Sequence, residues 1–135
     1  VVLGTTKADS WGRLFRYSVS SVFANAISKP SLNTVATHRI QSASSPPATL
    51  ATAVPIVILS HGPNGNGALQ ENGIALANTS STNVDEQTNL TSAATIVSRV
   101  PTENTTAPGG EFDDIVVWIP SSILFNRMVA AGQLP

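Results

Sequence analysis

Asp114-Ile115-Val116-Val117-Trp118-Ile119-Pro120-Ser121-Ser122-Ile123-Leu124-Phe125-Asn126-Arg127-Met128-Val129-Ala130-Ala131-Gly132 is the stretch that decides the fold. Asp114 to Ile119 reads as a strand, because its apolar residues are mostly β-branched and the run is strand-length. Pro120 or Ser121 then opens a helix, since proline is tolerated in a first turn and serine caps it. Ile123, Leu124, Phe125, Met128 and Val129 make a broad apolar face at i, i+4 spacing, and Gly132 stops the helix. The strand is apolar on both sides: Ile115, Val117 and Ile119 on one, Val116 and Trp118 on the other. Such a strand needs a covering layer on each face. The C-terminal helix supplies one cover, with Trp118 packed beneath it. The second must come from a weakly signalled element within residues 20–50 or from a helix outside this chain.

Working outward, Pro55-Ile56-Val57-Ile58-Leu59-Ser60 is a second strand that is apolar on both faces. It ends in His61-Gly62-Pro63-Asn64-Gly65-Asn66-Gly67, a dense run of turn residues. Leu14 to Val19 alternates, with Phe15, Tyr17 and Val19 facing one way, as in a half-buried strand. Weaker strands are expected over Val35–Gln41 and Ala94–Val100, and Ser44-Ser45-Pro46-Pro47 is a break. Residues 68–92 read as a long polar excursion with a short helical turn, and 102–110 as a second loop. No internal repeat is present.

The chain of 135 residues suits one domain spanning 1–135, long enough to bury a core without staples. Charged residues are only 11% and the net charge is −1, so there is no basic stripe for nucleic acid or an anionic membrane. No cysteine is present, which removes disulfides, thiolate catalysis and thiolate metal sites. The longest apolar runs, Val54–Leu59 and Ile115–Ile119, are too short to span a bilayer. A surface carried by Ser, Thr and Asn rather than by charge suits an exported protein. The chain begins at Val1 with no signal peptide, which reads as a product of processing or a piece of something longer.

Few residues invite chemistry. Ser60-His61 lacks the glycine two positions earlier that a nucleophile elbow needs, since Ile58 stands there. Only His38 and His61 are available for triads or metal clusters. Gly62–Gly67 has no following Lys-Ser/Thr and is not a phosphate loop. Asp113 and Asp114 are expected to point to opposite faces and to serve structure. Trp11 is expected to anchor the core, with Gly12 in a tight turn. Three Asn-x-Ser/Thr triplets, at Asn78, Asn89 and Asn104, are what chance gives in so Asn- and Thr-rich a chain.

Asp9-Ser10-Trp11-Gly12 followed by Arg16-Tyr17 resembles the D-x-W-G-x-x-x-x-Y segment of type IV prepilin and type II secretion pseudopilin heads. Pro55 to Gly67, Asp85-Glu86-Gln87-Thr88-Asn89 and Val97-Ser98-Arg99 continue the likeness in order. Phe112 to Trp118 and the block Leu124 to Pro135 are similar to the C-terminus of a minor-pilin-like bacterial group. The resemblance implies an α+β pilin head: an antiparallel sheet with long loops and a C-terminal helix, packed on an N-terminal helix missing from this chain. It implies a structural subunit, not an enzyme, assembled with other subunits into a pilus or secretion filament. The place is extracytoplasmic, in the periplasm or at the cell surface, with the precursor anchored in the inner membrane by that helix. In major pseudopilins a calcium ion ties down a late loop, and Asn64 with Asp85 and Glu86 occupy similar positions. Those three residues are therefore the expected calcium ligands, with Asp85 foremost, although the family usually carries Asp where Asn64 and Asn66 stand. Otherwise Asp85 and Glu86 cap a turn or a helix start. The rival expectation is a secreted carbohydrate- or surface-binding module working through its uncharged loops. A weaker third is an enzyme with a concave site around His61.

Overall fold

A computed structural model describes residues 6–25, 27 and 29–134, and the first residue, Val1, and the last, Pro135, lie outside the described residues. The expected strands form where β-branched residues cluster, and one more, over Thr49–Val54, joins them. β1 (Arg16–Val19), β2 (His38–Gln41), β3 (Thr49–Val54) and β4 (Ile56–Ser60) come first. Helix α1 (Val84–Thr91), β5 (Thr95–Val97), β6 (Ile115–Ile119) and α2 (Ser121–Ala130) complete the chain. The result is a small α+β fold with two three-stranded sheets. The first sheet, in order β1-β4-β6, is antiparallel throughout. The second, β3-β2-β5, pairs β2 with β3 antiparallel and with β5 parallel, which corrects the single antiparallel sheet that the resemblance implied.

The core lies between the sheets. Val57 and Leu59 of β4 meet Ile40, Val54 and Ile96 of the second sheet, with Val116 and Trp118 packed against them. This corrects the expected roof over Trp118. The cover is the second sheet, whereas α2 buries no residue and sets Phe125 against Phe23, ring centroids 5.8 Å apart. The reason is the chain path: β3 runs through Pro55 straight into β4, so folding β4 into one sheet lays the other sheet across its inner face. Ala53, at that crossing, sits at φ 53°, and its carbonyl accepts a 2.8 Å bond from Ser121 Oγ. His38 ties the sheets together: Nδ1 donates to Val54 O at 3.1 Å, so Nε2 accepts from Ser18 Oγ at 2.9 Å. No helix among the described residues is long and apolar enough to cross a membrane.

Candidate functional site: an apolar sheet face beside a buried polar hub

The face of the first sheet turned away from the core follows from register. Tyr17, Ile58 and Val117 stand opposite one another in one row, and Val19, Ile56 and Ile119 in the next. Ser60 pairs with Ile115, and Phe15, one residue before β1, extends the same side. Tyr17 is 57% exposed and Val117 56%. Phe15 and Ile115 are exposed too, while Val19, Ile56, Ile58 and Ile119 are half-buried. From strand spacings, the face is about 10 Å across and 14 Å long between outer Cα atoms, roughly 250 Å² with its rim. Monomers usually place polar residues on a solvated sheet face, and this contiguous apolar surface departs from that pattern.

At the Phe15–Ile115 end the segment before β1 makes a turn. Asp9 Oδ1 accepts from the Trp11 and Arg13 amides at 3.0 and 2.9 Å, and Gly12, at φ 73°, bonds back to Asp9 O. The Gly12 turn is as expected. The expected core anchor is not: Trp11 is 44% exposed, because the turn projects its ring off the sheet end.

The polar hub is built on α1. Its buried face carries Asp85, Glu86 and Asn89, all polar. Asp85 and Glu86 sit in the first turn, where the helix dipole favours negative charge. Glu86 is saturated. Oε1 accepts from Asn64 Nδ2 at 3.0 Å and from the Asp113 amide at 2.8 Å; Oε2 accepts from Asn83 Nδ2 at 2.7 Å and Asn66 Nδ2 at 3.5 Å. Asp85 turns elsewhere: Oδ1 accepts from the Ser44 amide and hydroxyl at 2.8 and 2.5 Å. Arg99 Nε lies 2.7 Å from Asp85 Oδ2, an ion pair by distance whose N–H is not aligned as a hydrogen bond. Arg99 also stacks 4.8 Å over the Phe112 ring. Asn89 pairs its side-chain amide with both backbone groups of Val97, at 2.9 and 2.6 Å, and donates to Asp114 Oδ2 at 2.8 Å.

So of the expected calcium ligands, Asn64 and Glu86 are joined by a hydrogen bond, and Asp85 faces Ser44 and Arg99 instead. The carboxylates with metal-like spacing are Glu86, Asp113 and Asp114, one oxygen of each lying within 4.8 Å of the others. A hard cation placed there has to displace N–H donors from Glu86. Burial first, then Glu86 and Asp114, push Asp113 up to about 7, although the Asn64 amide opposes them. Its Oδ1 is buried without a partner. Burial also raises Asp114, against the pull of His61 and Asn89. Asp113 and Asp114 do take different partners, as their adjacency on an extended segment implies, yet both reach Glu86, which their spacing in sequence did not foretell.

Ser60 and His61 part company. Ser60 Oγ donates to Asp9 Oδ2 at 2.6 Å, whereas His61 Nδ1 lies 3.3 Å from Asp114 Oδ1. An open depression of about 720 Å³ runs beside the hub between Asn64, Pro101, Glu111 and Phe112. Set against family models, curated proteins and solved structures, the chain finds no match.

Proposed function

We propose that this chain is the globular head of a type IV pilin-like or pseudopilin subunit and works by assembly rather than catalysis. Its outer sheet face seats an apolar helix, belonging to its own precursor or to a separate chain. The observation that carries the reading is that face: Phe15, Tyr17, Ile58, Ile115 and Val117 form an apolar surface that nothing among the described residues covers. At about 25 cal/mol per Å², seating a rod on roughly 250 Å² contributes up to about 6 kcal/mol from this side, before the losses of association. A helix of about ten residues matches the length of the rows. The order of motifs from Asp9-x-Trp11-Gly12 to the C-terminal block supports the same reading. Repeated head-to-tail contacts between such subunits build an open helical filament outside the cytoplasm.

The test is a photo-cross-linking amino acid placed at Val117, on the outer face, and separately at Glu103, on a loop, in the native host. Cross-linking from position 117 to an apolar helix of a pilin-type subunit is expected. A position 117 that stays unlinked while 103 captures glycan or another surface component would replace this reading with the binding-module one.

A further inference from the structure

Resting on that docking reading, we infer that the seated helix carries a lysine or arginine, and that this side chain enters the depression at the Trp11 end of the outer face. The depression is open, about 480 Å³, and its walls include Ala8, Trp11, Phe15 and Ile115, with Asp9 and Ser60 at its polar side. Phe15 and Ile115 belong both to it and to the apolar face, so a rod lying on the face reaches it without a break. Among the described residues, Asp9 is the only charged one that lines it.

Asp9 is held as an anion. Burial works to raise its pKa, but the Ser60 hydroxyl, the Arg13 and Trp11 amides and the nearby Arg13 charge bring it below the usual carboxylate value. No contact ion pair forms on the carboxylate among the described residues. Its neighbour Arg13 is committed to the carbonyls of Gly62 and Pro63, and the ion pairs that form involve Asp85 and Asp114 instead. Among the described residues Oδ2 accepts from Ser60 alone, which leaves it room for a second donor. Beside it the Trp11 ring is exposed. An anion with no contact ion pair, an open indole and an apolar wall together match a cationic head on an aliphatic stem: the head meets carboxylate and ring, and the stem lies on Phe15 and Ile115. A carboxylate in the same place would be repelled, and a plain alkyl chain would take water from Asp9 without supplying a donor in return.

The experiment uses three synthetic amphipathic helices of about 18 residues, long enough to hold helical structure. They share one leucine face and differ only in the terminal turns, which carry lysine, norleucine or glutamate. Binding to the chain is followed by calorimetry and by Trp fluorescence. The lysine peptide is expected to bind about tenfold tighter than the norleucine peptide, with glutamate weakest and the preference shrinking in high salt. Asp9→Asn, which keeps an oxygen for the Trp11 and Arg13 amides, is expected to abolish the preference while preserving binding. Trp11→Leu is expected to reduce it with the turn intact. Val117→Glu, at a different row, is expected to weaken all three peptides alike. If the three bind equally and Val117→Glu still weakens them, the cation pocket is overturned and the docking face stands. If none binds, the docking face falls and the pocket with it. A lysine preference that survives Asp9→Asn also overturns the pocket.

Discussion

Replacing Asn89 by alanine is expected to bring the protein close to unfolding. Asn89 is fully buried, and its amide acts as a one-residue neighbour strand: it meets both the N–H and the C=O of Val97 on the free edge of β5, and Asp114 Oδ2 besides. The substitution removes three hydrogen bonds and leaves three groups unpaired in the interior. At about 1–3 kcal/mol for each unsatisfied group, with some relief from entering water, the loss is about 3–6 kcal/mol. A domain of this size holds about 5–15 kcal/mol in total. Urea unfolding followed by far-UV circular dichroism should show the midpoint falling by roughly 2 M. Asn89→Asp retains an acceptor for the Val97 amide but sets a second carboxylate beside Asp114, so its deficit is expected to be larger at pH 8 than at pH 5. A loss below about 1 kcal/mol for the alanine variant would mean that Val97 and Asp114 have other partners, and the hub as described would be wrong.

Three further outcomes are expected. Asp113 has its folded pKa raised to about 7, and Asp114 is raised in the same direction, so the native state binds more protons than the unfolded chain. The stabilisation is complete below the unfolded value and fades as pH rises through about 7, so the melting temperature should fall from pH 5 to pH 8; Asp113→Asn should flatten that slope. Arg99→Ala leaves the buried Asp85 carboxylate uncompensated and should cost about 3–5 kcal/mol in chemical denaturation, whereas an exposed pair would lose under 1. Ala53→Gly relieves a left-handed alanine and should leave stability unchanged or raise it by up to about 1 kcal/mol, read as a higher thermal midpoint.

The strands of the first sheet were legible because their side chains alternate or run apolar between glycine and proline punctuation. That holds for Phe15-Arg16-Tyr17-Ser18-Val19, for Ile56–Ser60 and for Ile115–Ile119, and α2 announced itself by its apolar i, i+4 face. The need for a cover on each face was legible too, but of the two sources open for the second cover the weakly signalled one within residues 20–50 is present, as β2 with β3 beside it over the inner face. Thr49–Val54 escaped notice because Ala51 and Ala53 have weak strand preference and an edge strand asks little of its residues. Without that strand, α2 is the visible candidate for the roof that the second sheet provides. Helix α1 read only as a turn in a loop because its inward residues are Asp85, Glu86 and Asn89, a helical stripe that hydrophobic periodicity cannot see. The spacing of Asp85 and Asn89 by four was the available signal. The hub itself draws on segments near 44, 64, 86, 99 and 113, and no local pattern brings those together.

Strand β4 has a consequence for how a filament made of such heads would bear tension. It is the middle strand of its sheet, bonded to β1 on one side and β6 on the other. Its outward residues, Ile56 and Ile58, belong to the apolar outer face, and its inward residues, Val57 and Leu59, are the centre of the hydrophobic core. Were the proposed helix seated on that face, a pull on it along the strands would load two backbone ladders in shear, many bonds at once, rather than peel them singly. The seam between such a helix and the sheet, held by side chains alone, would slip before the head itself came apart.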